Sequence, residues 1–254
     1  MPLLQVQRLS KSYRQIEGGS TRAIDEISFD VERGEFVSLV GPSGCGKTTL
    51  LTCVAGLNAP DSGKITVNNE AVNGPPRNLV LIFQDYNRSL FAWRSVLGNV
   101  LFGLEVRGRV SAGAREKARQ LIKLVGLAGF ERHYPWELSG GMQQRVAIAR
   151  ALAYEPEILL MDEPFGSVDA FTRLELEDGL LAIWKDVRTT ILLVTHDIEE
   201  ALYLSDRIHV LSRRPSRIIQ SVGVALDRPR NQLTTRANAK FMELRNEIYK
   251  QIRQ

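Results

Sequence analysis

The chain has 254 residues, 44% of them apolar and 24% charged, a globular composition with room for a sizeable core. No run of eighteen apolar residues occurs, and the opening Met1-Pro-Leu-Leu-Gln-Val-Gln lacks the basic and apolar segments of a secretion signal, so neither a membrane span nor export is expected. The net charge of +4 lies entirely in residues 226–254, which carry seven Lys/Arg against three acids; a neutral body offers no electrostatic footprint for nucleic acid.

Strands are expected first. Leu3–Leu9 and Ala23–Val31 alternate loosely, as in a half-exposed, antiparallel N-terminal β part. Phe36–Val40 is a short apolar run rich in β-formers, and it ends at Gly41-Pro-Ser-Gly-Cys-Gly-Lys-Thr48. Lys47–Gly56 then reads as a helix stopped by glycine. Leu79–Phe83 is a buried strand ending at Gln84. Helical patterns follow over Ser95–Leu104, Arg115–Val125 and Ser139–Tyr154 before the next strand, Ile158–Met161. A helix around Arg173–Val187, a strand Thr190–Val194, a helix from Asp197 and strands near Arg207–Leu211 and Arg217–Ser221 complete the pattern. Strands alternating with helices imply an α/β fold with a mostly parallel sheet. The expected organisation is a core of residues 1–85 and 157–225, an inserted helical subdomain over 86–156, and a basic helical tail over 226–254. In the tail, Phe241, Leu244, Ile248 and Ile252 share one helical face. Its charge fits anionic lipid, an acidic partner or a solvated helix face. Cys45 sits inside the glycine-rich loop, so Cys45 and Cys53 are expected as reduced thiols.

The glycine-rich loop between a strand and a helix carries the clearest chemistry. Glycines let successive backbone N–H groups converge on phosphate oxygens, and the helix start adds positive potential. Lys47 is expected to reach the β- and γ-phosphates and the Thr48 hydroxyl to bind Mg²⁺. The strand Ile158–Met161 delivers Asp162 and Glu163 to the end where ligands bind in open α/β sheets. Asp162 is a candidate Mg²⁺ ligand and Glu163 a candidate general base for an attacking water. His196 and Gln84 likewise end apolar strands, His196 as a γ-phosphate contact and Gln84 as a contact to metal or water. Ser139 is a good helix cap, and Gly140 and Gly141 leave backbone N–H groups bare. That makes a second anion site whose use spacing alone leaves open.

These motifs, with Ser167-Val-Asp-Ala170, occur in an order that resembles the ATP-binding subunit of an ABC transporter over residues 1–225. The resemblance implies a P-loop ATPase core binding ATP and Mg²⁺ through Gly41, Pro42, Ser43, Gly44, Cys45, Gly46, Lys47, Thr48 and Thr49, with Tyr13 stacking on adenine. It implies two such domains paired head to tail, as a homodimer or with a related ATPase. Ser139, Gly140 and Gly141 then serve the partner's nucleotide and Asp169 links the two sites. Gln84 senses metal and permease, and His196 holds the γ-phosphate. Two departures from the family pattern, Met142 for Gln and Val168 for Leu, remove no catalytic group. Phe91–Val100, Asp162–Gly166, Thr195–Leu202 and Leu211–Ile218 are similar to the nitrate/sulfonate/taurine-type importers, whose relatives also carry bicarbonate or vitamin precursors, so the resemblance leaves the ligand open. The resemblance therefore implies an ATPase on the cytoplasmic face of the inner membrane. It would be docked to permease subunits near Gln84 to Trp93 and served by a periplasmic binding protein. Competing readings are an export or lipid-extraction ATPase and a soluble ABC-type ATPase of repair or translation. The latter carry coiled coils or two ATPase domains per chain, and this sequence has neither.

Overall fold

In the computed structural model the described residues are 1–14, 19–84, 89–108, 112–166 and 168–253. They form two compact units, Met1–Leu79 with Thr190–Gln254, and Val80–Thr189. In chain order the elements are β1 (Leu4–Arg14), β2 (Ser20–Val31), β3 (Phe36–Val40), α1 (Lys47–Val54), β4 (Ser62–Val67), β5 (Glu70–Ala71) and β6 (Leu79–Ile82). There follow α2 (Val96–Val106), α3 (Ala112–Leu124), α4 (Gly140–Ala153), β7 (Ile158–Asp162), α5 (Ala170–Val187), β8 (Thr190–Thr195) and α6 (Ile198–Leu204). The chain closes with β9 (Arg207–Leu211), β10 (Ile218–Gly223) and α7 (Ala239–Arg253).

The first unit has an antiparallel sheet in the order β2-β1-β4-β5. Leu4 faces Val31 on one side and Val67 on the other, and Val6 pairs with Phe29 and Ile65. The register shifts between Val6 and Leu9, between Leu9 and Lys11, and between Lys11 and Ser12. Arg8 and Glu26 adopt positive φ of 45° and 52° within the bulged stretch. Bulges explain why the sequence alternates only loosely, because each extra residue reverses the face that follows. They also let β1 run on to Arg14, five residues beyond the stretch read from the pattern, and so carry Tyr13. The β4–β5 hairpin was not anticipated. Its turn is Asn68-Asn69, both left-handed at φ 51° and 65°, the geometry that two-residue hairpins favour and asparagine tolerates. The Asn-Asn pair after Val67 was the available signal.

In the same unit β9, β3 and β8 lie side by side and run parallel, with β10 antiparallel on β9. Every residue of β3 and β8 is buried, as expected for strands covered on both faces. The registers Val40↔Thr195 and Val40↔Val210 bring the chain following β3, β8 and β9 to one edge. Cys45 and Cys53 are buried and unbridged. Burial pushes the Cys53 thiol up to about 11, which keeps it protonated and inert. In α7, Phe241, Leu244 and Ile248 are buried and Ile252 only partly so; the helix packs on α6 and β9.

The second unit combines α2, α3 and α4, which pack on one another, with β7, α5 and most of β6. Its compact boundary thus takes in more than the helical segment 86–156. Gly103 lets α2 approach α4 closely: a Cβ there would lie 2.4 Å from the Arg150 carbonyl oxygen and 3.0 Å from Ala153 Cβ. Asn99, fully buried in α2, accepts from Phe91 N and donates to the carbonyls of Phe91, Arg94 and Ser95. One side chain thereby fixes the loop before the helix. No described helix is long and apolar enough to cross a membrane.

Candidate functional site

In the first unit the glycine-rich loop joins β3 to α1, as its strand–loop–helix context predicts. Gly41 is confined: a Cβ would lie 3.0 Å from Leu211 Cβ and 3.2 Å from Cys45 Sγ. Gly46 caps α1 at φ 121°, where a Cβ would also meet the Ala23 carbonyl at 3.0 Å. A side chain at either position would thus be crowded. Gly44, at φ 73°, has open space around it. Gly41, Cys45, Gly46 and Lys47 are buried, Pro42 and Thr49 partly so, while Ser43, Gly44 and Thr48 are exposed. The Lys47 ammonium donates to the carbonyls of Gly41 (2.9 Å) and Pro42 (3.0 Å), so its charge sits within the curl of the loop. An open cradle of glycines at a helix start, with a lysine inside it, fits a phosphate chain.

Tyr13 is brought to this loop. Its hydroxyl donates to Thr49 Oγ1 at 3.4 Å and accepts from Asn58 Nδ2 at 2.7 Å, with the residue 43% exposed. His196 is exposed and directly follows Thr195, the partner of Val40 that precedes the loop. Asp197, next in sequence, donates its backbone N–H to Thr195 Oγ1 and caps α6 by accepting from the N–H groups of Glu199 and Glu200. Arg214, in the turn between β9 and β10, was overlooked in the sequence: Nη2 donates to the Gly44 carbonyl at 2.7 Å. No local pattern couples residues 170 positions apart.

The second unit holds the remaining candidates. Asp162 ends β7, buried at 3% exposure. Glu163 follows it in the left-handed region at φ 44°, a conformation costing a non-glycine residue on the order of 1 kcal/mol and found disproportionately at functional sites. Gln84, just past β6, donates Nε2 to Glu163 Oε2 at 3.3 Å, so the structure joins two residues that are 79 positions apart. Ser139 caps α4, its hydroxyl accepting from Met142 N at 3.3 Å, and Ser139 and Gly140 are exposed. A Cβ on Gly141 would lie 2.9 Å from Val168 Cγ1 and 3.3 Å from Thr172 Cγ2. This glycine lets the start of α4 seat against the segment around Asp169. Asp169 in turn caps α5, and the Thr172 hydrogen bonds hold its carboxyl below the usual range. Ser167 lies outside the described residues.

Among the described residues no three His, Cys, Asp or Glu side chains cluster as a self-sufficient metal cage. Nucleotide-bound Mg²⁺ needs only one or two side-chain oxygens, taking the rest from phosphate and water. The first unit offers one such oxygen, the exposed hydroxyl of Thr48, and the second offers the Asp162 carboxylate and the Gln84 amide oxygen, each of that donor type.

A phosphate cradle on parallel strands, with acidic residues at another strand end, defines a P-loop nucleotide hydrolase. A helix start bared by Ser139 and Gly140 is an addition to that class which narrows it. The chain belongs to the ABC transporter family, whose model matches residues 24–166, and it is an ATP-binding cassette ATPase. It is 48% identical over 245 residues to an uncharacterised ABC transporter ATP-binding protein of Methanocaldococcus jannaschii, covering 96% of this chain and 89% of that protein. The taurine import ATP-binding protein TauB of Yersinia pestis is 47% identical over 80% of this chain and 78% of its own. The aliphatic sulfonates import ATP-binding protein SsuB of Bacillus thuringiensis is 41% identical over 98% and 95%. Among solved structures, a dimeric bacterial ABC transporter cassette superposes with a TM-score of 0.77 at 32% identity, covering 87% of this chain and 98% of that one. A post-hydrolysis dimeric cassette bound to ADP and phosphate matches with a TM-score of 0.76 at 31% identity, over 87% and 98%.

Proposed function

We propose that this ATPase powers import of a small anion or organic solute of the sulfonate, taurine, nitrate or bicarbonate class. In this reading it docks, as a pair of cassettes, on permease subunits at the cytoplasmic face of the plasma membrane, and a periplasmic binding protein supplies the solute. The names of the taurine and sulfonate relatives support the import direction. The exposed Trp93, 74% accessible on the loop fixed by Asn99, supports a docking role for that region; residues 85–88 of the stretch from Gln84 to Trp93 lie outside the described residues. The dimeric cassettes among the structural relatives support pairing.

The observation that carries the hydrolytic reading is the Gln84–Glu163 contact at 3.3 Å, made from a strained backbone at Glu163. A carboxylate held by a neutral amide points where that amide directs it. Glu163 takes a proton from water as the water oxygen bonds to the γ-phosphorus, and the bond to the ADP oxygen breaks to leave ADP and phosphate. Lys47 and the N–H groups of Gly44 to Thr48 stabilise charge on the phosphate oxygens, Pro42, Ser43 and Thr49 line the cradle, and Tyr13 stacks on the adenine. His196 holds the γ-phosphate. Ser139, Gly140 and Gly141 supply donors to the nucleotide of the partner cassette, and Asp169 couples the two sites. When bound, Mg²⁺ would neutralise phosphate charge, held by Thr48 and Asp162 with Gln84. Glu163→Gln is expected to bind ATP as the parent does while losing steady-state hydrolysis by at least 100-fold, on the scale of a general base. Hydrolysis at the parental rate would overturn the assignment.

A further inference from the structure

We propose that the arginines of the C-terminal tail are positioning residues for hydrolysis, acting through α6 on His196. This rests on the reading of His196 as the γ-phosphate ligand. The helix α6 has seven residues, too few to be stable by itself, and it starts two residues after His196. The tail grips it at both ends. At its C-terminal end, Arg230 Nη1 donates to the carbonyls of Leu202 (3.1 Å) and Tyr203 (2.8 Å). Arg228 Nη2 donates to Leu204 O and to Asp206 Oδ1, both at 2.8 Å. These are carbonyls that a helix end leaves without internal partners, and cations there also complement the dipole.

At the N-terminal end the hub is Glu199. Its Oε2 accepts from Arg236 Nη1 at 2.8 Å and its Oε1 from Arg245 Nη1 at 3.1 Å. Arg236 also stacks over the Tyr203 ring at 5.3 Å. Burial of Phe241, Leu244 and Ile248 anchors the helix that carries Arg245. A cleft of about 550 Å³ is lined by His196, Asp197 and Glu199 from one side and by Arg245, Asn246 and Tyr249 of α7 from the other. The tail thus walls the space beside His196. Four of the seven tail cations, Arg228, Arg230, Arg236 and Arg245, are thus directed at Glu199, Asp206 and helix carbonyls, a use for them that involves neither anionic lipid nor an acidic partner.

The test is a kinetic double-mutant cycle on the full chain. R236Q/R245Q is expected to lower kcat for ATP about tenfold, since small misplacements of a reacting group cost up to about 100-fold. KM should change less than about threefold and the thermal midpoint less than about 5 °C. The Lys pair R236K/R245K should recover most of the rate. In the His196→Ala background the Gln pair should cause no further loss, because the two act through one group. An unchanged kcat for R236Q/R245Q, or an equal loss in both backgrounds, overturns the positioning role while leaving the His196 reading intact. A parental kcat for His196→Ala overturns that reading, and this inference falls with it.

Discussion

Individual residues carry the chemistry through constraints that their types announce. Gly41 and Gly46 were legible as loop glycines, and the contacts a Cβ would make at each give the steric reason. Glu163 was legible as a carboxylate at a strand end, but neither its positive φ nor the Gln84 amide on it is encoded locally. His209 shows a residue whose importance only burial reveals. It is 3% exposed in β9, its Nδ1 bonded to Ser221 Oγ at 2.7 Å, and burial aided by Arg207 pushes its pKa down to about 4. The unfolded chain takes up a proton near pH 6.5 and the folded chain only near pH 4, so folding stability is full above pH 6.5 and falls as pH drops between them. At about 1.4 kcal/mol per tenfold change in proton affinity, the loss is on the order of 3 kcal/mol. Denaturant midpoints measured from pH 7 to pH 4 should show it, and His209→Gln should flatten that component of the slope.

At the level of elements, the periodicity located nearly every helix and core strand to within a few residues, but β6, read as buried over Leu79–Phe83, buries only Ile82 and leaves Phe83 exposed. Periodicity failed where tertiary pairing outweighs pattern. The β4–β5 hairpin has only two residues in its second strand, too few to alternate, and β1 is interrupted by bulges that break the face assignment. The packing of α2 on α4 depends on a glycine with no turn to explain it. Gly103→Ala places a methyl 2.4 Å from the Arg150 carbonyl. Relief requires the helices to separate, and it should destabilise by about 1–3 kcal/mol. Urea unfolding of the variant would register this as a lower midpoint at unchanged slope. A shift in the slope would instead indicate a different unfolded or native compactness.

For the molecule as a whole, the half-site reading makes assembly testable. Ser139→Arg puts a bulky cation at the bared start of α4 and also removes its cap, at a cost of about 1 kcal/mol to the helix. ATP binding by the single chain should be unchanged, while the ATP-dependent dimer, followed by light scattering, should be lost; dimers that still form and hydrolyse ATP would refute the shared site. The sequence by itself determined the chemistry: a phosphate loop, an acidic strand end, a capped Ser-Gly-Gly helix start and their order. Those motifs are local, and each depends on residue types within a few positions of one another. Only the tertiary structure decided what stands beside them. It set Gln84 against Glu163, Gly141 against the Asp169 segment, Arg214 on Gly44 and the tail arginines on α6. Each of these is a contact between distant segments that parallel strand register, bulges and helix packing create. The tail shows the difference most plainly: its charge was countable in the sequence, but its partners, Glu199, Asp206 and the carbonyls of α6, appear only when the chain has folded.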